Sequence, residues 1–231
     1  MKVYAISDLH LSINNPKPMN IFGPVWDGYL ETLERDWARV NADDIVLLPG
    51  DLSWAMHLED ARPDIGYVGA LAGRKVIIRG NHDYWWKSIT AVRSLLPEGM
   101  YAVQNDALKI DDCVICGTRL WTTPEPGRDQ LQADKVIYDR ELIRLRMSLD
   151  AAAKLRGEGD RMVVMVHYPP FNSTFRPTVF TDAIAEYGPD AVVYGHLHGS
   201  AGRVRRKLII DGIPYHLTSC DLVGNKLIEI L

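Results

Sequence analysis

Five of the seven histidines in this chain, His10, His82, His167, His196 and His198, fall in short blocks that also carry Asp8, Asp51, Asn81 and Asp83. The blocks are Ser7-Asp8-Leu9-His10, Pro49-Gly50-Asp51, Arg79-Gly80-Asn81-His82-Asp83, His167-Tyr168-Pro169-Pro170 and Gly195-His196-Leu197-His198-Gly199. Imidazole, carboxylate and amide oxygen are the ligands that borderline transition metals take. Gathered without cations, such a set would be costly, because polar and charged groups lose their water. One catalytic ion takes about four ligands including an open position for water. The set is too large for one ion, and two fit it better.

What would gather the blocks is the sequence before each of them. Every block follows a short apolar run: Val3 to Ile6, Ile45 to Leu48, Val76 to Ile78, Met162 to Val166 and Ala191 to Tyr194. These runs, rich in β-branched residues, predict buried strands. In an α/β sheet the carboxyl ends of neighbouring strands face one crevice. Helical periodicity appears between them, at Leu30, Leu33, Trp37 and Val40, at Ile89, Val92 and Leu96, and at Leu142, Leu145 and Leu149, so the pattern predicts a layered α/β fold. After Gly199, the runs Lys207 to Ile210, Ile213 to Leu217 and Lys226 to Ile230 are separated by Asp211-Gly212 and Gly224-Asn225, which read as hairpin turns. The proline-bearing loops Ser12 to Gly28 and Thr122 to Asp129 are long enough to frame a site, and the first is expected to overhang it.

Taken singly, each block has a structural reading. Asp51 could cap a helix or a turn, Asn81 could supply a left-handed turn, and His196 with His198 could be edge-strand residues. Their shared position at five strand ends favours chemistry. Cys113 and Cys116 have zinc-knuckle spacing, but residues three apart on a strand point to opposite faces, so both are expected to be core thiols.

Composition sets the frame. The chain has 231 residues, 47% apolar and 24% charged, which suits one folded domain over 1–231 rather than a disordered chain. A net charge of −4 gives no global attraction to nucleic acid or anionic membrane. No signal-like segment or membrane-length run is present and the three cysteines make no disulfide framework, so a cytoplasmic protein is expected.

The ordered blocks Asp8-Leu9-His10, Gly50-Asp51, Gly80-Asn81-His82-Asp83, His167 and Gly195-His196-Leu197-His198 resemble the calcineurin-like metallophosphoesterase superfamily. The resemblance spans residues 8 to 198 and implies a four-layer α/β/β/α sandwich of two mixed sheets, with the metal site at the carboxyl ends of the strands. It implies one metal on Asp8, His10, Asp51 and His198, and a second on Asp51, Asn81, His167 and His196, with Asp51 bridging. It gives His82 the role of general acid or of hydrogen-bond donor to the phosphate, with Asp83 orienting its imidazole. Two divalent ions less two carboxylates leave a net charge of about +2 to bind hydroxide and phosphate, and metal lowers the pKa of water to ~7. The implied reaction is in-line attack of a metal-bridging hydroxide on a phosphate ester. The mixed nitrogen and oxygen donors point to manganese or iron, with zinc, cobalt or nickel as alternatives.

Departures narrow the substrate. Protein Ser/Thr phosphatases carry Asp-Arg-Gly and Gly-Asn-His-Glu where this chain has Leu52-Ser53-Trp54 and Asp83, which disfavours a phosphoprotein. His167-Tyr168-Pro169-Pro170 is similar to the His-x-Pro-Pro block of small bacterial phosphodiesterases, although Tyr168 replaces a further histidine usual there. A phosphodiester or small-molecule or nucleotide substrate is therefore expected, with neither membrane nor nucleic acid as partner. A phosphomonoesterase stands as the alternative, followed by a non-catalytic binding module of the same fold; a module would have lost ligands, and none is missing. Among Trp54, Tyr84, Trp85, Trp86 and Trp121, most are expected in the core and one or two at the site. The tract Arg203 to Lys207 reads as a solvated edge, and His57 and His216 as structural.

Overall fold

In a computed structural model of the chain, residues 1–127, 129–199 and 204–231 are described. The predicted apolar runs become β1 (Val3–Ala5), β2 (Ile45–Leu48), β3 (Arg74–Ile77), β7 (Arg161–Val166) and β8 (Ala191–Tyr194). Short strands β4 (Met100–Ala102), β5 (Ala107–Ile110) and β6 (Cys113–Thr118) lie between β3 and β7, and β9 (Lys207–Ile210), β10 (Ile213–Leu217) and β11 (Ile228–Glu229) follow β8. They form two mixed sheets, in the orders β11-β1-β2-β3-β4 and β5-β6-β7-β8-β10-β9. In the first, β1 to β4 are parallel and β11 is antiparallel. In the second, β6, β7, β8 and β10 are parallel between the antiparallel edges β5 and β9.

Strands buried on both faces explain the continuous apolar runs. Alternate residues of β1, β2, β7 and β8, such as Val3, Ala5, Ile45, Leu47, Val163 and Val193, meet between the sheets. Their neighbours pack outward. Val46 and Leu48 lie under α1 (Tyr29–Trp37), α2 (Arg62–Ala70) and α3 (Ile89–Leu95), where Leu33, Val68 and Val92 complete the layer. Val164 and Val192 lie under α4 (Gln132–Leu155) and α5 (Val179–Ala185) with Leu145, Leu149 and Phe180. The result is the four-layer α/β/β/α sandwich. On β6, Cys113 faces the layer between the sheets and Cys116 faces α4, and both thiols are free.

One turn departs from expectation. Asp211-Gly212 makes the β9–β10 hairpin, both residues having positive φ. Gly224-Asn225 also has positive φ but joins no hairpin: the chain crosses to the first sheet, where β11 pairs with β1. That crossing helps to lock the sheets together, as does the end of β1. There Ser7 donates its N–H to the Thr218 carbonyl at 2.8 Å and bridges Ser219 in parallel, so the carboxyl ends of the two sheets open onto one cleft.

Candidate metal centre

Just past the strand ends, the backbone turns sharply. Asp8, His10, Asp51 and His196 have φ of 58°, 47°, 53° and 71°, a left-handed conformation that costs non-glycine residues about 1–3 kcal/mol each and clusters at functional sites. Glycines let the turns touch. A Cβ on Gly50, whose φ is +93°, would lie 2.5 Å from His167 Nδ1, and one on Gly195 would lie 2.4 Å from Asp8 Oδ2.

The expected ligands come together. Asp8, His10 and His198 offer donor atoms within 4.8 Å of one another, and so do Asp8, Asp51 and His167. His198 Nε2 lies 3.5 Å from Asp8 Oδ1 and 3.3 Å from His10 Nε2. His167 Nδ1 lies 3.0 Å from the Pro49 carbonyl, so it carries the proton and Nε2 presents its lone pair to the cleft. That nitrogen faces Asn81 Oδ1 at 2.6 Å, and His196 Nδ1 faces the same oxygen at 2.8 Å. Asp51 Oδ2 is buried without a hydrogen-bond partner, 3.5 Å from His167 Nε2 and 3.8 Å from His10 Nε2. The His167 Nε2 lone pair facing the Asn81 carbonyl oxygen, beside an orphaned carboxylate oxygen on Asp51, is an arrangement that a cation satisfies. The residues present therefore fit metal.

Burial and neighbouring charges set the protonation of the cleft. Burial, reinforced by the carboxylates of Asp8 and Asp83, holds the Asp51 carboxyl well above the usual range. Burial opposes charge on His198, but hydrogen bonds to Asp221 and Asp8 prevail and push it up to about 10. Burial lowers His10 to about 3 and His196 to about 4. Asp51 and His198 thus hold protons at neutral pH that they must surrender to ligate. Metal uptake near pH 7 is expected to release about two protons and to weaken as pH falls, since proton and metal compete. Calorimetric titration of metal-free protein with manganese in buffers of different ionisation enthalpy measures the release; none would show that these two residues do not ligate.

Asp221 was not foreseen. Its Oδ1 lies 3.1 Å from His198 Nδ1 and its Oδ2 accepts the Gly199 N–H at 2.9 Å, fixing the tautomer and direction of that imidazole. The available signal was positional, for Asp221 follows β10 closely and opens onto the same cleft.

The role expected of Asp83 is corrected. Its carboxylate does not bond the His82 imidazole. It is fully buried, accepting N–H groups from Gly80 at 2.7 Å, Asp51 and Leu52 at 2.9 Å, Ser53 at 3.2 Å and the Trp85 indole at 2.9 Å. Asp83 therefore staples the turn after β2, which carries Asp51, to the turn after β3. Asp83→Ala would leave these donors buried and unpaired at about 1–3 kcal/mol apiece, so a loss of roughly 3–5 kcal/mol is expected after partial relaxation. Urea unfolding of metal-free protein measures it, and a loss under about 1 kcal/mol would mean water replaces the staple. His82 is held through its backbone, whose N–H donates to Asp51 Oδ1 at 2.8 Å, and burial lowers its imidazole pKa.

Aromatic rings frame the cleft. Trp54 stacks on His10 at 4.6 Å and lies 4.8 Å from His82, and the exposed Tyr84 is 6.1 Å from His82. Trp85 and Trp86 are buried in the core, and Trp121 packs against Tyr168. Trp26, also unforeseen, reaches in from the loop after His10 to lie 6.3 Å from His10 and 6.2 Å from His198. With Met19 and Phe22 it covers a cavity of about 380 Å³ over His10, His82 and His198, so this loop does overhang the site. His57 is exposed and His216 buried on β10. In the basic tract, Arg203 lies outside the described residues, as does Arg128 of the second long loop; Val204 and Arg205 line a cavity beside His196 instead of a plain solvated edge. Among the described residues no helix is long and apolar enough to cross a membrane.

Comparison with known proteins agrees with this architecture. The phosphopantetheinyl hydrolase of Mycobacterium tuberculosis superposes with a TM-score of 0.57 at 15% identity, covering 100% of this chain and 95% of that one. The protein TT1561 of Thermus thermophilus superposes with a TM-score of 0.58 at 15% identity, covering 98% and 96%. At such identity these likenesses concern the fold. No curated protein matches the chain. The model of the calcineurin-like phosphoesterase family matches residues 1–200, covering all five blocks, and the chain belongs to that family.

Proposed function

We propose that this chain, as a single domain over 1–231, is a dinuclear metal-dependent phosphoesterase acting on a phosphodiester or a small-molecule or nucleotide phosphate ester. One ion would be held by Asp8, His10, Asp51 and His198, the other by Asp51, Asn81, His167 and His196. The observation that carries this reading is Asp51 Oδ2, buried, without a partner, and within 3.8 Å of ring nitrogens from both sets. Such ions, when bound, supply Lewis-acid stabilisation of phosphate oxygens and a water of lowered pKa. Manganese or iron suits the donor set best.

The protein's own part is placement. Asp83 and Asp221 fix the backbone and the imidazole on which the proposed ligands depend, while Trp26, Trp54 and Met19 form an apolar wall on one side of the cleft. His82 stands at the edge of this wall without being fixed to any carboxylate, free to hydrogen-bond a phosphate oxygen or to protonate a departing alcohol. The test is hydrolysis of bis-p-nitrophenyl phosphate and p-nitrophenyl phosphate by metal-stripped protein before and after adding manganese. Turnover restored by metal is expected. No turnover with manganese, iron, zinc, cobalt or nickel bound would leave a binding module.

A further inference from the structure

The ligand set is flanked by two cavities, one at each end, and their walls differ. At the His10 and His198 end lies the cavity of about 380 Å³ walled by Met19, Phe22, Trp26 and Trp54, with His82 on its edge. At the His196 end lies a second of about 460 Å³, reached past Tyr168, whose ring packs 4.1 Å from that of His196. Its lining includes Thr122, Thr123, Phe175 and Arg205, and the Arg205 guanidinium stands over the Phe175 ring at 5.2 Å. The two long loops singled out by the sequence, after His10 and after Trp121, thus each contribute to one cavity.

A phosphomonoester has one organic arm and would leave one cavity unused; a phosphodiester has two. Building on the phosphoesterase reading above, the geometry points to a phosphodiester substrate with two unlike arms. The first is apolar, seated in the cavity walled by Met19, Phe22, Trp26 and Trp54. The second is polar, rich in hydrogen-bond acceptors, and recognised by Arg205 beside Phe175. An apolar wall recognises an apolar arm by taking its surface out of water. A guanidinium on an aromatic wall offers donors in a fixed fork and no acceptor, which selects carbonyl or hydroxyl groups, while the Glu125 carboxylate in the same lining opposes a full anion.

The position of His82 assigns the reaction's direction. Water forms a new P–O bond and loses a proton. The P–O bond to the apolar arm breaks, its electron pair stays on the arm's oxygen, and that oxygen takes a proton on the side of the cleft where His82 stands. The apolar arm departs as an alcohol, and the polar arm stays on the phosphomonoester product.

Two diesters with the same leaving group isolate the second cavity: thymidine 5′-(p-nitrophenyl) phosphate and methyl p-nitrophenyl phosphate, assayed on manganese-loaded protein. The thymidine ester is expected to exceed the methyl ester in kcat/KM by about tenfold or more, as befits one or two hydrogen bonds to a charged donor. Arg205→Ala, an exposed position, is expected to collapse that ratio towards parity, whereas Phe22→Ala, 64% exposed at the other cavity, is expected to raise KM for both esters and keep the ratio. Parity of the two diesters in the wild type, survival of the ratio in Arg205→Ala, or faster hydrolysis of p-nitrophenyl phosphate than of either diester would overturn the two-armed substrate while leaving a phosphoesterase. Failure to hydrolyse any of the three with manganese bound would overturn both readings together.

Discussion

Asp51→Asn is expected to lower kcat/KM for phosphoester hydrolysis by roughly a thousandfold or more and to deplete bound metal, without destabilising the metal-free protein. The activity loss follows from charge: an amide takes away the anion that both proposed ligand sets would share, and several kcal/mol of transition-state stabilisation through metal corresponds to factors of about 10³. The stability follows from protonation. Burial and the carboxylates of Asp8 and Asp83 raise the Asp51 pKa, so the metal-free protein holds this carboxyl neutral at pH 7, and asparagine is its near isostere. The amide oxygen can still accept the His82 N–H, and the exchanged atom is the one without a partner. The sign with pH is the same. A carboxyl whose folded pKa is raised contributes stability present below about 4 and lost as pH climbs to the raised value. The wild-type apoprotein should therefore lose stability across that window, and the variant should lose less. Metal analysis, kcat/KM and urea midpoints at pH 5 and 8 test all three. A variant that keeps metal and turnover would take Asp51 out of the centre, and one that unfolds readily without metal would make it a structural residue.

How much of this centre the sequence declares depends on how local each feature is. β2 and β8 begin and end where their apolar runs do, because strands buried on both faces need unbroken apolar residues, and the blocks after them are contiguous in the chain. The convergence of Asp8, His10, Asp51, Asn81, His167, His196 and His198 on one cleft was legible for that reason. Asp221 was not, since it has no histidine or glycine block beside it and acts through a contact spanning 23 residues. Nor was Trp26, which reaches His10 only because the intervening loop folds back in short 3₁₀ turns. Asp83 misled by adjacency: consecutive side chains in a turn diverge, and five backbone and indole N–H groups claim the carboxylate before the neighbouring imidazole can. Gly224-Asn225 has the local chemistry of a hairpin turn, but pairing is decided by whichever strand edge is open, and that was β1.

For His82, the size of the effect should depend on what leaves. With an alkyl leaving group, which departs poorly as an anion, His82→Ala is expected to cost about 10² to 10⁴-fold in kcat, the usual worth of a placed proton donor. With p-nitrophenolate, which departs readily unprotonated, the same variant should lose no more than about tenfold. Metal content should not change, because the tie from residue 82 to Asp51 is a backbone N–H that alanine retains. Burial lowers the imidazole pKa in the free protein, but a bound phosphate anion opposes that shift, so the proton is most available when substrate is present. The pair of leaving groups separates the two roles open to this side chain. A loss that grows with leaving-group basicity identifies a proton donor to the departing oxygen. An equal loss on both esters, expressed mainly in KM, identifies a hydrogen bond to the phosphate itself. No loss on either would show that the cavity edge on which His82 stands, beside Trp54 and His10, is not where the scissile bond lies.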